Sequence, residues 1–146
     1  MKLILQRALS GRVTVDGQTV GSIGPGLVVL LGISREDTAE KIQTAVNKLL
    51  SIRLWEKDGK KWDTSLRDNG FELLIVSQFT LYSVLKGNKP DFHNAMAPDQ
   101  ALALYEQFVQ TARASYDPNK VQTGAFGQYM NVHIVGDGPV TIELNY

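Results

Sequence analysis

Hydrophobic and polar residues alternate with the period of a β-strand in several parts of this chain. Residues 13–20 alternate around Asp16-Gly17, a dipeptide that readily adopts the positive φ angles of a tight turn, so they predict a hairpin. Residues 27–33 are almost uninterrupted apolar sequence and predict a strand buried on both faces. Gly24-Pro25-Gly26 predicts a plain turn before that strand, because the rest of a phosphate-binding loop motif is missing.

Two segments have the period of an amphipathic helix instead. The first has Ser34 or Asp37 as its candidate N-cap, and the second opens at Pro98-Asp99 and ends before Asp117-Pro118. In each, five apolar residues fall on one face at spacings of three and four. These are Ile42, Ala45, Val46, Leu49 and Leu50 in the first, and Ala101, Leu104, Tyr105, Phe108 and Ala112 in the second.

The remaining patterns predict more strands. Residues 55–62 predict a hairpin with Asp58-Gly59 at its turn, which would set Trp55 opposite Trp62 as a packing pair. Near the C-terminus, residues 130–134 and 140–144 predict two strands joined by a turn at Gly136-Asp137-Gly138. This order of elements predicts one α+β domain over residues 1–146, with curved, mainly antiparallel sheets and helices packed outside.

Composition narrows the range of functions. The chain has 146 residues, no cysteine, and 15 basic against 15 acidic side chains, so a nucleic-acid partner would need a local basic patch. Without cysteine there is no disulfide, thiolate nucleophile or zinc finger. His93 and His133 are isolated, so we interpret them as surface or structural residues and predict neither a metal nor a cofactor.

No targeting segment is evident. The apolar run at the N-terminus breaks too early for a signal peptide, and the longest such run, residues 27–31, is far short of the roughly 20 residues of a membrane helix. We expect a soluble, cytoplasmic protein.

Residues 73–82 hold the most unusual polar side chains. Ser77, Gln78 and Thr80 interrupt an apolar strand pattern there. Burying such groups without partners costs about 1–3 kcal/mol each, so we interpret them as candidate functional residues. For Ser77 and Gln78 the alternative is that they satisfy backbone groups at the end of a strand.

The segment Ser77-Gln78-Phe79-Thr80-Leu81 resembles a signature of the D-aminoacyl-tRNA deacylases, and Gly138-Pro139-Val140-Thr141 resembles their second signature. The resemblance implies a barrel-like sheet and a homodimer with active sites at the subunit interface. It implies hydrolysis of the ester that joins a D-amino acid, or glycine, to the 3′-terminal adenosine of tRNA, a proofreading reaction. The alternatives are an editing deacylase for glycine or small L-amino acids, and a nucleic-acid-binding module without turnover.

The resemblance places catalysis at Ser77, Gln78, Phe79 and Thr80. Ester hydrolysis develops charge on the carbonyl oxygen, and the amides of Phe79 and Thr80 are suitable donors to it if the strand ends or bulges there. The Thr80 hydroxyl is a nucleophile candidate without a base beside it in the sequence. The other mechanism uses a positioned water, and we expect the main chain to matter more than the Thr80 side chain.

The second signature implies the source of stereospecificity. In the family, the peptide bond of Gly138-Pro139 is cis, and the dipeptide reaches into the partner subunit's active site, where its carbonyl groups exclude an L side chain. Gly136 departs from the family, which usually has asparagine there, so the loop is looser or is braced by another group.

The resemblance also implies contacts to the tRNA end. Phe126 and Gly127 resemble the adenosine pocket, with Ala101 and Met130 as further lining, although Met130 also suits core filling. Lys86 and Lys89, on a predicted loop, are candidates for phosphate contacts, and a solvated loop is the alternative.

Overall fold

A computed structural model describes residues 1–146, with ten strands and three helices. The elements are β1 (Lys2–Val15), β2 (Gln18–Ile23), β3 (Gly26–Gly32), α1 (Ile42–Ser51), β4 (Arg53–Lys57), β5 (Lys60–Ser65), α2 (Leu66–Asn69), β6 (Glu72–Ser77), β7 (Val84–Lys86), β8 (Lys89–Asp91), α3 (Pro98–Ser115), β9 (Val121–Thr123) and β10 (Asn131–Asn145). Short 3-10 helices add Ala39–Lys41, Phe79–Tyr82 and Pro118–Lys120.

The central sheet has the strand order β10-β1-β3-β6-β9, with β2 paired to β1. The pairs β3–β6 and β6–β9 are parallel, and the others are antiparallel. The sheet curls so far that β2 approaches β9, since a Cβ on Gly21 would lie 2.2 Å from the carbonyl oxygen of Thr123. The predicted α+β class with curved, mainly antiparallel, barrel-like sheets is confirmed.

Strands β3 and β6 are buried on both faces, as predicted for residues 27–33. Because side chains alternate along a strand, each of these strands contributes to two separate clusters. The side chains of Leu27, Val29 and Leu31 pack toward the helices, in a cluster with Leu73 and Ile75. The barrel interior is filled by the smaller cluster of Ala8, Val13, Ile23, Val28, Leu74 and Val76.

Helices α1 and α3 cover the outer face of this sheet. All five predicted apolar residues of α1 are buried, as are four of the five predicted for α3. The predicted cap of α1 is wrong, because the helix is entered through the 3-10 turn Ala39–Lys41 without a side-chain cap. The Asp37 carboxylate instead accepts hydrogen bonds from the Met1 ammonium group at 2.6 Å and the Ser34 amide at 2.7 Å. None of the helices combines the length and the hydropathy needed to cross a membrane.

Both predicted hairpin turns are present, with positive φ at Asp16-Gly17 and at Asp58-Gly59. The predicted tryptophan pair is wrong, because the strands pair Trp55 with Thr64. Trp55 is buried and packs against Phe71, with ring centroids 5.3 Å apart. Trp62 lies at an irregularity of β5 with φ of 55° and is 55% exposed.

The C-terminal part forms one strand where two were predicted. β10 runs antiparallel to β1 throughout, with Ala8 opposite Gly136 and Gln6 opposite Thr141. The four residues between Gly136 and Thr141 face only one residue of β1, so they form a bulge and not a turn between neighbouring strands. This bulge carries Gly138-Pro139.

Gly26 provides a test of the parallel pairing between β3 and β6. A Cβ there would lie 1.8 Å from the carbonyl oxygen of Glu72 on the adjacent strand, and the backbone cannot yield without disrupting the ladder. We expect Gly26→Ala to lower the free energy of unfolding by about 3 kcal/mol or more, measured by urea denaturation. Gly136→Ala is the control, because a Cβ there meets nothing within 4 Å, and it should change stability by less than about 1 kcal/mol. Equal effects of the two substitutions would contradict this account of the sheet.

Candidate active site

Strand β6 ends at Ser77, where the chain turns into the 3-10 helix Phe79–Tyr82. The turn is fixed to β3, because the Gln78 amide donates to the Leu31 carbonyl at 2.8 Å. Gly32 makes this approach possible, since a Cβ there would lie 2.9 Å from Leu81 Cβ and 3.1 Å from the Gln78 carbonyl oxygen. The polar residues Ser77 and Gln78 therefore mark the end of β6, which is held against β3 by this hydrogen bond.

The amides of Phe79 and Thr80 are the first two of this short helix, where intrahelical acceptors are lacking. The Thr80 hydroxyl accepts a hydrogen bond from the Gln78 carboxamide, and no histidine, lysine or carboxylate bonds to it. The hydroxyl is therefore not hydrogen-bonded to a base in this chain.

A cleft of about 600 Å³ opens beside this turn. Nine of its 13 lining residues are hydrophobic, as is usual for pockets that bind small organic groups. The lining residues are Leu31, Ile33, Ser77, Gln78, Phe79, Phe92, Ala95, Met96, Ala97, Pro98, Ala101, Phe126 and Gly127. Thus Ser77, Gln78, Phe79, Ala101, Phe126 and Gly127, all predicted site residues, come together here.

Aromatic contacts shape the two walls of the cleft. Phe79 packs edge-on against Phe92, with ring centroids 5.0 Å apart. Phe126 packs at 5.4 Å from Tyr105, whose hydroxyl donates to the Ile75 carbonyl of β6 at 2.8 Å. Burial raises the pKa of Tyr105 above its ordinary value, so its hydroxyl stays protonated and keeps this bond. The wall that carries Phe126 is thereby anchored to the strand that ends at Ser77.

Met130 does not line the cleft, although it supports the loop that does. Its sulfur accepts a hydrogen bond from the Ala125 amide at 3.3 Å, and the Gly124 amide donates to the Ile75 carbonyl at 3.1 Å. Gly127, at φ of 73°, lets the loop turn at the rim. Met130 is a candidate both for lining the pocket and for filling the core. Its contacts are those of a residue that packs against the core.

Gly138 and Pro139 lie outside this cleft. Their peptide bond is cis, both residues are exposed, and neither is among the residues that line the cleft. Gly138, at φ of 133°, has no room for a Cβ, which would lie 2.7 Å from the Val140 nitrogen. Within one chain, the two sequence signatures therefore form separate surfaces.

Arg7 braces the bulge that carries Gly138-Pro139. Its Nε lies 3.1 Å from the Asp137 carboxylate and 3.2 Å from the Asp137 carbonyl oxygen, and its Nη1 donates to the Leu54 carbonyl. Gly136 has open space where a side chain would project. The loop is thus braced through Asp137 in a chain that lacks the usual asparagine.

Lys86 and Lys89 lie on the β7–β8 hairpin, which is joined to the cleft through Phe92. The Lys86 ammonium is paired with the Asp91 carboxylate at 2.8 Å, and His93 bonds the same carboxylate. These two contacts hold the pKa of Asp91 well below its usual range. Lys89 has no ion pair. Of the two lysines predicted to contact phosphate, only Lys86 is therefore paired with a carboxylate. No cluster of three or more metal-ligating side chains is present.

Sequence reasoning missed the side chains that complete the cleft, including Phe92 and Met96. Nothing in the local pattern marks them, because they reach the cleft through long-range contacts such as the bond from the Met96 amide to the Ile33 carbonyl at 3.0 Å. The Phe79–Phe92 contact is also made between separate elements, because Phe79 begins the 3-10 helix and Phe92 follows the β7–β8 hairpin.

Known proteins share this fold. A solved structure described as a probable eukaryotic D-amino acid tRNA deacylase covers 98% of this chain and 97% of its own, with a TM-score of 0.82 and 22% identity, a likeness that shows the fold. Another, described as c-Myc DNA Unwinding Element Binding Protein, covers 100% of this chain and 99% of its own, with a TM-score of 0.96 and 50% identity.

Proteins with similar sequences include several named D-aminoacyl-tRNA deacylase. The Drosophila melanogaster D-aminoacyl-tRNA deacylase is 52% identical over 144 residues, which span 99% of this chain and 91% of the relative. The human D-aminoacyl-tRNA deacylase 1 is 50% identical over 145 residues, which span 99% of this chain and 69% of the relative. The model of the family described as D-Tyr-tRNA(Tyr) deacylase matches residues 4–145, and the chain belongs to that family.

Proposed function

We propose that this protein hydrolyses D-aminoacyl-tRNA in the cleft beside Ser77-Gln78-Phe79, and that a second copy of the chain completes each site. Family membership makes the chain a hydrolase that removes D-amino acids from tRNA, a proofreading activity. The terminal adenosine lies against Phe126 and Gly127 of the cleft, with Ala101 beneath it. The ester carbonyl then lies at the turn formed by Gln78 and Phe79.

The main chain directs the chemistry in this proposal. The observation that carries it is that the Thr80 hydroxyl is hydrogen-bonded to the Gln78 carboxamide and to no base. The amides of Phe79 and Thr80 stabilise the oxyanion, and a positioned water attacks the ester carbon. Removing one donor of this kind typically costs about 3–4 kcal/mol of transition-state stabilisation.

Stereospecificity comes from Gly138-Pro139 of a second subunit. These residues are exposed and lie outside the cleft of their own chain, which supports a contribution across a two-fold interface. Their carbonyl groups hold the amino group of the substrate and leave no space for an L side chain. Glycine, which has no side chain, passes this filter.

Lys89 supplies a phosphate contact at the edge of the cleft, on the β7–β8 hairpin. Lys86 contributes less, because its charge is already neutralised by Asp91. Both lysines contact the tRNA backbone without reading its sequence.

A panel of esters tests the proposed activity and its stereospecificity. We expect the wild type to release amino acid from D-tyrosyl-tRNA and glycyl-tRNA but not from L-tyrosyl-tRNA or L-alanyl-tRNA. Pro139→Ala should raise the relative rate on L-tyrosyl-tRNA, because the filter loses its shape, whereas the exposed turn variant Pro25→Ala should keep the wild-type preference.

Two results would contradict the proposal. Preferential hydrolysis of L-alanyl-tRNA would indicate an editing deacylase for small L-amino acids. Salt-dependent binding of uncharged tRNA, with no ester cleaved, would indicate a nucleic-acid-binding module.

Thr80→Ala separates the two mechanisms. If a positioned water attacks, kcat on D-tyrosyl-tRNA should fall by no more than about tenfold, because the amides stay in place. Thr80→Ser, which keeps a hydroxyl, is the matched control. A loss of turnover in the alanine variant alone, with substrate affinity and fold unchanged, would show that the hydroxyl is the nucleophile.

The salt dependence of tRNA binding tests the two lysines. Each phosphate contact to a single strand contributes about −0.7 to the slope of log K against log salt concentration. We expect Lys89→Ala to flatten the slope by about that amount and Lys86→Ala to flatten it less, measured with uncharged tRNA. An equal slope for wild type and Lys89→Ala would exclude the contact.

A further inference from the structure

A second cavity, of about 290 Å³, lies beneath the bulge of β10, and we call it the Trp62 cavity. It shares no residue with the cleft. Its lining residues are Arg7, Leu54, Glu56, Lys61, Trp62, Gly138, Pro139 and Val140. Gly138 and Pro139 therefore line the same cavity as the indole ring of Trp62.

Trp62 occupies an unusual position for its residue type. It is 55% exposed at φ of 55°, a region in which asparagine, aspartate and glycine are favoured and bulky residues are outliers. Strained residues of this kind persist where the surroundings fix them, and they cluster at functional sites. The other tryptophan, Trp55, is buried and accounts for the packing of this hairpin.

The polar groups of the Trp62 cavity differ in how they are engaged. Arg7 is occupied by Asp137 and by the Leu54 carbonyl. Glu56 and Lys61 are exposed and take part in no ion pair or side-chain hydrogen bond. The cavity is thus lined by an exposed indole ring, by a carboxylate and by an ammonium group that make no ion pair.

These three groups match one nucleotide of a single strand. Aromatic rings stack on bases, a carboxylate accepts from the amino group of cytosine, and a lysine meets phosphate. The cavity is slightly smaller than the usual range for drug-sized ligands, which suits one base.

We propose that the Trp62 cavity binds the cytidine that precedes the terminal adenosine of tRNA. Trp62 stacks on the base, Glu56 accepts a hydrogen bond from its amino group, and Lys61 contacts its phosphate. This inference rests on the proposed function. There Gly138-Pro139 reaches the partner's cleft, so the Trp62 cavity lies next to the adenosine bound in that cleft.

Substitution of Trp62 tests the stacking. Trp62→Asn removes the ring while relieving the backbone, so its free energy of unfolding should be no lower than that of the wild type. We expect its KM for D-tyrosyl-tRNA to rise on the order of tenfold, with kcat unchanged. Trp62→Phe keeps an aromatic face and should stay within about threefold of the wild type.

The D-tyrosyl ester of adenosine is the matched substrate, because it lacks the cytidine. Wild type and Trp62→Asn should hydrolyse it alike. An equal loss on both substrates would overturn the inference and place Trp62 in the cleft itself, and so would an unchanged KM for the charged tRNA.

Base identity provides an independent test of Glu56. Uridine in place of the cytidine has a carbonyl oxygen where the amino group was, so it should raise the KM of the wild type. Glu56→Gln should reverse part of this effect, because its carboxamide can donate to that oxygen. A wild type indifferent to the two bases would overturn the role of Glu56.

A binding experiment separates failure of this inference from failure of the proposed function. If the wild type hydrolysed neither ester, the proposed activity would be wrong. The trinucleotide cytidine-cytidine-adenosine would still be expected to quench tryptophan fluorescence in the wild type but not in Trp62→Phe, with adenosine alone quenching neither. Absence of that quenching would overturn the proposed nucleotide site.

Discussion

The parallel pairing of β3 with β6 is the constraint on which the candidate site depends. It brings the end of β6 beside Gly32, where the Gln78 amide bonds to Leu31 and the chain turns into the 3-10 helix. Side chains on one face of both strands pack under α1 and α3, and those on the other fill the barrel, so a shift of either strand by one residue would move its side chains from one core into the other. The position of Phe79 at the cleft therefore follows from the packing of residues far from it.

Patterns within one element predicted the fold well. The apolar face of α1 and the Asp16-Gly17 hairpin follow from local periodicity and turn chemistry, and both are present. The wrong predictions concern local structure that is set by contacts between residues far apart in the sequence. The register irregularity of the β4–β5 hairpin separates Trp55 from Trp62, and Arg7 at one end of the chain holds the bulge that was predicted as a turn. The cleft residues Phe126 and Gly127 were predicted from a family resemblance, whereas Phe92 has no local signal at all.

The two sequence signatures lie on separate surfaces of one chain, the first at the cleft and the second at the bulge of β10. In the proposed dimer, the filter for handedness is presented to the substrate from outside the cleft, because the cleft and Gly138-Pro139 form separate surfaces of one chain. Exposed Gly138-Pro139, braced by the Arg7–Asp137 pair, is available for that role in a second copy. Main-chain atoms suit it, since their positions are fixed by the bulge and do not depend on a rotamer.

Subunit complementation tests the central claim, that each site combines the cleft of one chain with Gly138-Pro139 of another. Ala101→Trp fills the cleft, and Gly138→Val displaces the carbonyl groups that are proposed to hold the amino group of the substrate, so each variant alone should be folded and inactive on D-tyrosyl-tRNA. Refolding the two variants together at equal concentration should restore about a quarter of the wild-type activity, because half of the dimers are mixed and each has one intact site. Activity no greater than that of the separate variants would contradict a site shared between subunits.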